Sequence, residues 1–431
     1  MNTSAPLVAM QAPDAIVAAR GGVDFTGAQF LAQVRALASR LPDARHAINL
    51  CEDRVMFALT FCAALLRGQI NLLPANASAG TIGELLRAYP GSYVLSDQSV
   101  PAMNAPFFTA ALDSAPVIRI EPVPRIPADQ VAAIAFTSGT TGKPRPHAKT
   151  WGTLVAAAHL SHAVLLPSAA RAQVIATVPP QHMYGLEFSV FWPLAAGCVL
   201  NSGKPFFPAD LRDALAAMSA PQVLATTPVH LRACTRSGLS FPEVALVICA
   251  TAPLPGDSAV EAEKLFQAPV MEIYGCTEGG SLASRRCAQS ELWTLHPGLA
   301  LAGHRIRAPH YPEPIDVQDE LHPIDDQHFT LAGRSTDMIK VAGKRASLAE
   351  LTQKLLSIVG VEDGIVFLPD GAERPAALVV APQLAEKEVL ARLAEQVDAV
   401  FLPRPLRRVP DLPRNELGKL PGEKLIELLR G

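Results

Sequence analysis

From the start of the chain to about residue 330, hydrophobic and polar positions alternate on two scales. Short apolar or β-branched runs begin at Val131 (VAAIAFTS), Gln173 (QVIATVPP), Cys198 (CVLNS), Gln222 (QVLATTP), Val244 (VALVICAT) and Val270 (VMEIYG), and each ends in a small polar or turn-forming residue. Between them lie alanine- and leucine-rich stretches of helical period, as in AINLCEDRVMFALTFCAALLRGQ. Strands alternating with helices predict an α/β fold, and open α/β sheets gather ligands at strand ends. The run Val55 to Leu66 is fenced by Arg54 and Arg67. It falls far short of the ~20 residues that cross a bilayer, so it reads as a buried helix.

The texture changes at HFTLAGRSTDMIKVAGKRASLAELTQKLLSIVGVEDGIVFLPDG, where short strands and one helix, Leu348 to Ile358, repeat on a smaller scale. A boundary between Arg334 and Asp337 follows, with a large layered α/β domain over 1–334 and a small α+β domain over 335–431. The latter ends in a basic, proline-rich stretch, PRPLRRVPDLPRNELGKLPGEKL, expected to be an ordered exposed loop. The prolines are dispersed through turns and form no repeat.

Composition narrows the class. With 431 residues, 49% hydrophobic and 18% charged, the chain is a folded protein of more than one domain, neither fibrous nor disordered. A formal net charge of −3 supplies no excess of cations for a polyphosphate backbone, which argues against nucleic acid as a partner. The seven cysteines include no C-x-x-C pair and sit mostly in apolar runs, as expected of a reduced, cytoplasmic chain. The N-terminus shows no basic start leading into an apolar stretch, so no secretory signal is expected.

Four motifs carry candidate chemistry. Thr137-Ser138-Gly139-Thr140-Thr141-Gly142-Lys143-Pro144 follows the strand VAAIAF, and its glycines and hydroxyls can wrap an anion. It differs from a Walker A loop in its glycine spacing and in Pro144, which stands where a Mg²⁺-binding hydroxyl would be. Tyr274-Gly275-Cys276-Thr277-Glu278 ends another apolar strand and sets a carboxylate beside a hydroxyl, a pair that could hold Mg²⁺ and a phosphate oxygen or simply start a solvated helix. Gly333-Arg334-x-x-Asp337-x-Ile339-Lys340-x-x-Gly343 and Pro413-Arg414-x-x-x-Gly418-Lys419 complete the set. Each alone is weak.

In this order and spacing the four resemble the ANL superfamily of acyl- and aryl-CoA synthetases, peptide-synthetase adenylation domains and luciferases. The likeness extends from DFTGAQF at Asp24 through the last residues. It implies activation of a carboxylic acid by ATP to an acyl-adenylate, then transfer to a phosphopantetheine thiol of CoA or an acyl carrier protein, with Mg²⁺ as cofactor. By resemblance, Thr137 to Lys143 enclose the β- and γ-phosphates, Tyr274, Gly275, Thr251, Ala252 and Pro253 belong to the nucleotide site, Thr277 contacts the α-phosphate, and Glu278 ligates Mg²⁺. Lys419 would bridge the carboxylate and the α-phosphate, where a compact ammonium suits a forming bond. Arg334 and, at the family's spacing before Gly333, Asp319 would bind ribose. Asp337 matches the family's hinge, about which the small domain turns between half-reactions, and Gly343 the loop that approaches the thiol. His182, in Pro179-Pro180-Gln181-His182-Met183-Tyr184-Gly185, resembles the family's P-x-x-H-x-x-G at the carboxylate entrance and thiol tunnel. His147, His159 and His162 read as ordinary packing residues.

The departures from the family pattern are specific. Its G-G-A-P loop reads Ala250-Thr251-Ala252-Pro253, the lysine after its loop proline is Arg145, and Val317-Gln318-Asp319 lacks the Thr-Gly of its T-G-D. The chain is also shorter than most members. Ala225-Thr226-Thr227-Pro228-Val229-His230-Leu231 is similar to a segment of aryl-acid ligases, and short relatives in bacterial aryl polyene and related pigment pathways look closest. An aromatic carboxylate such as a benzoate or cinnamate is therefore expected, with a medium-chain fatty acid as the alternative. Arg404, Arg407, Arg408 and Arg414 offer either a patch for an acidic carrier protein or a loop whose arginines pair locally, and the choice between carrier protein and CoA stays open. A catalytically silent relative that only binds a nucleotide or acyl ligand is the competing reading.

Overall fold

The computed structural model describes residues 3–74, 76–98, 105–114, 116–118, 121–137, 145–166, 171–219, 221–334, 338–341, 344–369, 371–414, 420 and 422–430. It divides into two compact units, Met1–Ala300 with Arg307–Ile315, and Leu301–Ile306 with Asp316–Gly431.

The larger unit is layered as its hydrophobic pattern predicts. All six expected runs form strands: Val131–Thr137, Gln173–Ala176, Val199–Asn201, Gln222–Thr226, Leu246–Cys249 and Val270–Cys276. One sheet runs in the order Arg145–Thr150, Val131–Thr137, Ile70–Leu73, His46–Asn49, Tyr93–Ser96, Phe107–Thr109, parallel except for its first strand. A second runs Trp293–Leu295, Gly280–Arg285, Val270–Cys276, Leu246–Cys249, Gln222–Thr226, Gln173–Ala176, Val199–Asn201, Ile16–Arg20, Val23–Thr26. Its middle, from Val270–Cys276 to Ile16–Arg20, is parallel, with Val223 opposite both Val174 and Leu246. Parallel strands buried on both faces need apolar residues throughout, which is why these runs do not alternate.

Between the sheets lies the helix Arg54–Leu66, apolar all round and packed on strands of both. Asp53 starts it by accepting the Met56 N–H at 2.9 Å. Arg54, also buried, turns its guanidinium onto carbonyls at and just beyond the end of the strand Gln173–Ala176, Ala176 at 3.1 Å and Val178 at 2.7 Å. The strand Arg145–Thr150 runs directly into the helix Trp151–Leu165, whose cap is Thr150.

The smaller unit contains two antiparallel hairpins, Asp319–Pro323 with His328–Arg334 and Met338–Val341 with Lys344–Ser347, and a sheet in the order Asp363–Phe367, Ala376–Val380, Leu406–Arg408. Helices Leu348–Leu356, Glu386–Ala394 and Gly422–Arg430 accompany them. Leu351, Leu355, Val366, Val379, Val389 and Leu393 form its core. The division by contacts falls earlier in the chain than Arg334, because the strand His328–Arg334 packs on Lys344–Ser347 in the same unit. The basic tail corrects one expectation. Leu406–Arg408 is a strand parallel to Ala376–Val380, not a loop, since Leu406 is buried in the core of this unit.

Candidate functional site

Parallel strands point their carboxyl ends to one edge of a sheet. Along that edge of the second sheet stand the segment after Ala176 that leads to His182, Thr226-Thr227, the loop Ala250-Thr251-Ala252-Pro253 and the turn after Val270–Cys276. Four separate sequence signals thus share one border, as open α/β sheets require of a ligand site.

The turn Thr277-Glu278-Gly279 joins Val270–Cys276 to the antiparallel strand Gly280–Arg285, so Thr277 and Glu278 occupy a tight hairpin, not a helix start. Two glycines make it tight. A Cβ on Gly275 would stand 2.2 Å from the Gly280 carbonyl oxygen, and Gly280 has φ +70°. The Glu278 carboxylate is partly exposed, and His147 Nε2 lies 3.6 Å from its Oε1. That histidine was expected only to pack. Burial lowers its pKa, an effect that neighbouring Glu278 opposes and Lys149 and Arg145 reinforce. His159 and His162 keep the packing reading, His162 Nδ1 accepting from the Trp192 indole at 3.1 Å.

Lys149, two residues beyond His147 on the same strand, is buried and donates to the Glu278 backbone carbonyl and to the Tyr311 hydroxyl. Burial pulls its pKa down to about 8 against the pull of Cys276, Glu278 and Glu187. Glu187 is buried as well, and desolvation lifts it to about 7 despite hydrogen bonds from Ser281 and Ser161 and the charge of Lys149. The Cys276 thiol is pushed up to about 12, chiefly by burial.

His182 stands in extended backbone just before the short helix Met183–Leu186. Arg54 holds the approaching carbonyls of Ala176 and Val178, while Gln181 Nε2 donates to Cys51 O at 2.6 Å. The glycine of the P-x-x-H-x-x-G pattern has a steric reason: a Cβ at Gly185 would meet the Pro179 carbonyl oxygen at 2.0 Å. The Tyr184 hydroxyl lies within 3.0 Å of Thr226 O and 2.9 Å of Ile248 O, and its burial raises the phenol well above its usual range. Thr251, where the family carries glycine, has φ +85°. The loop is tethered farther on, where the Leu254 N–H donates to Glu272 Oε1 at 2.9 Å.

In the smaller unit, the register of the first hairpin sets Asp319 directly opposite Arg334, so the two expected ribose contacts are cross-strand neighbours. Arg414, of the last motif, is bidentate to Asp363 at 2.7 and 2.6 Å, which pins the chain just before Lys419. Arg408 also bonds locally, its N–H to Glu386 and its guanidinium to Leu384 O. Ser138, Gly139, Thr140, Thr141, Gly142, Lys143, Asp337, Gly343 and Lys419 lie outside the described residues, as do the side chains of Thr137 and Arg334. The strands that flank the hydroxyl-rich loop are an antiparallel hairpin with Thr137 opposite Arg145, not the strand-to-helix junction of a P-loop.

This architecture is that of adenylate-forming ligases. O-succinylbenzoate CoA synthetase from Bacillus subtilis in complex with AMP superposes with a TM-score of 0.79 at 18% identity, covering 96% of both chains. Residues 40–308 match the AMP-binding enzyme family, and the chain belongs to it. It is 32% identical over 301 residues to a 4-coumarate–CoA ligase of Halorhodospira halophila (66% of this chain, 73% of that one), and 29% identical over 268 residues to one of Rhodobacter capsulatus (62% and 68%). It is thus an ATP-dependent, AMP-forming acid–thiol ligase. Among the described residues no helix is long and apolar enough to cross a membrane.

Proposed function

We propose that the chain activates an aromatic carboxylic acid of the benzoate or cinnamate class and passes the acyl group to CoA, in the cytoplasm. One observation carries the site assignment: the glycine-tightened turn that presents Thr277 and Glu278 at the carboxyl edge of the sheet, across from His147 on the strand leaving the hydroxyl-rich loop. In the first half-reaction a carboxylate oxygen attacks the α-phosphorus of ATP, forming the acyl-adenylate and expelling pyrophosphate. In the second, the thiol sulfur attacks the acyl carbonyl, its proton leaves to solvent, and AMP departs with the electron pair of the broken C–O bond. Charge builds on phosphate oxygens in the first step, so positioned donors and cations do most of the work.

On this reading the Thr277 hydroxyl meets the α-phosphate, Asp319 and Arg334 hold ribose, and Lys419 meets the reacting oxygens. His182 stands at the acid's entrance, Asp337 is the hinge and Gly343 lines the approach of the thiol. Glu278 fits Mg²⁺: it is a half-exposed hard-oxygen donor, and among the described residues no cluster of three or more acidic, histidine or cysteine side chains could hold the ion alone. Such an ion takes most of its ligands from phosphate and water. When bound it would neutralise the charge of the leaving pyrophosphate. The choice of an aromatic acid and of CoA follows the relatives named 4-coumarate–CoA ligases, and the local pairing of Arg408 and Arg414 weakens the case for a carrier-protein patch.

Carboxylate-dependent ATP–pyrophosphate exchange across benzoates, cinnamates and medium-chain fatty acids tests this. Exchange with the aromatic acids, and thioester formation with CoA in preference to a holo carrier protein, is expected. Exchange only with fatty acids would overturn the substrate class, and none with any acid would overturn the activity of this chain.

A further inference from the structure

Two buried ionisable side chains behind the Thr277–Glu278 turn have no part in the chemistry above. Lys149 is 1% exposed and Glu187 2% exposed. Burying either charge is costly unless hydrogen bonds and an opposite charge offset it. Both are spent on one short piece of backbone. The Lys149 ammonium caps the Glu278 carbonyl in the middle of the turn, donates to the Tyr311 hydroxyl at 3.1 Å and stands over that ring, 5.2 Å from its centroid. Glu187 Oε2 takes the Ser281 N–H at the exit of the turn at 2.9 Å, and its Oε1 accepts from the Ser161 hydroxyl at 3.1 Å. A Cβ on Gly280 would meet Glu187 Oε2 at 3.0 Å, so the backbone runs close against the carboxylate.

The two clamps reach the turn from independent elements. Lys149 comes from the strand that returns from the hydroxyl-rich loop, and Glu187 from a π-helical segment, Glu187–Phe191, set between the helices Met183–Leu186 and Trp192–Ala196. Such π segments often re-aim a side chain at functional sites. The exit of the turn, Gly279 to Ser281, is itself buried, so its backbone needs partners inside the protein, and the two clamps that supply them also fix its geometry.

We infer that Lys149 and Glu187 are positioning residues for adenylation: they lock the backbone from Cys276 to Ser281, so that the Thr277 hydroxyl and the Glu278 carboxylate point in a fixed direction before nucleotide arrives. The inference rests on the reading of Thr277 and Glu278 as nucleotide-facing. A catalytic group displaced by about 1 Å can lose 10²-fold in rate, which is the size of effect a released turn should have.

The test compares Lys149→Met, Glu187→Leu, Glu187→Gln, Glu278→Gln and the double variant Lys149→Met/Glu278→Gln by exchange kinetics, and by calorimetric binding of a non-reacting α,β-methylene ATP analogue with and without Mg²⁺. Lys149→Met and Glu187→Leu should each lower kcat for exchange by roughly 10²-fold, with KM for the acid changed less than about twofold. Glu187→Gln, which retains an acceptor for the Ser281 N–H, should recover most of the rate. The loss in the double variant should be clearly smaller than the product of the two single losses, because part of the Lys149 effect acts through Glu278. Binding of the analogue should weaken in Lys149→Met more strongly with Mg²⁺ than without it. Wild-type exchange in the folded variants, a loss confined to the KM of the acid, or losses that multiply in the double variant would overturn the inference. Should Lys149→Met fail to fold, the contrast between Glu187→Gln and Glu187→Leu decides it alone, equal loss in both counting against it. Absence of exchange in the wild-type protein would instead strike at the proposed function.

Discussion

Two neighbouring loops at the carboxyl edge of the second sheet are built on opposite principles. The turn from Cys276 to Gly280 is gripped from outside by buried Lys149 and Glu187, and from within by Gly275 against Gly280. The loop at Ala250–Pro253 keeps Thr251 at φ +85°, in the left-handed region that a β-branched residue rarely enters, between backbone tethers at Ala250, to Thr226 O, and at Leu254, to Glu272. One loop commits buried charge to fix a direction; the other stores strain. On the proposed reading, a turn that aims a carboxylate at a nucleotide gains from rigidity, whereas a loop without that task can tolerate backbone strain.

The contrast can be broken at the rigid loop first. Gly275→Ala would drive a methyl group into the Gly280 carbonyl. A backbone clash of this kind should cost about 3 kcal/mol and open the hairpin, seen as a lowered melting temperature together with lost exchange. A variant that melts like the parent would show that the hairpin has room to shift.

A second effect comes from the strand Trp293–Leu295, which continues the sheet beyond this hairpin. His296, next in the chain, is 1% exposed with neither ring nitrogen hydrogen-bonded to any described residue, and burial lowers it to about 4. Because its folded pKa lies below its unfolded value, it leaves stability untouched above about pH 6.5 and costs stability as pH falls toward 4, since only the unfolded chain takes up the proton. The loss should reach about 2 kcal/mol by pH 5, and His296→Leu should flatten that part of the stability profile. An unchanged slope between pH 7 and 5 in the variant would contradict the burial argument.

The strained loop should answer with the smallest change and the opposite sign. Glycine at 251 removes strain worth about 1–3 kcal/mol but adds about 0.5–1 kcal/mol of unfolded-state freedom. Thr251→Gly should therefore stabilise the protein by about 1 kcal/mol, measured by denaturant midpoint at constant slope. Destabilisation would mean that the threonine side chain holds more than its backbone loses.

The layered strands and the buried helix were legible in the sequence because each is a local pattern: VMEIYG and QVLATTP are apolar runs ending in turn residues, and Arg54–Leu66 is one apolar face closed on itself. The tightness of P-x-x-H-x-x-G was visible as a glycine, though its reason, the Pro179 carbonyl, was not. His147, Lys149 and Glu187 were missed, since their partners at 278 and 281 lie far along the chain and no spacing rule joins them. A signal did exist. Glu187 is a lone acid in MYGLEFSVFWPLAAG, and an unaccompanied charge in an apolar run must find a partner when the run is buried. Leu406–Arg408 was mistaken for a loop because its prolines and arginines outweighed the single leucine that anchors it.

The central claim is that the turn ending in Glu278 serves adenylation, and Glu278→Gln tests it most directly through aromatic acid-dependent ATP–pyrophosphate exchange titrated with Mg²⁺. The account predicts a loss of roughly 10²-fold and a Mg²⁺ midpoint moved to higher concentration, with the acid's KM little changed. Exchange at the parental rate and an unmoved Mg²⁺ midpoint would contradict it.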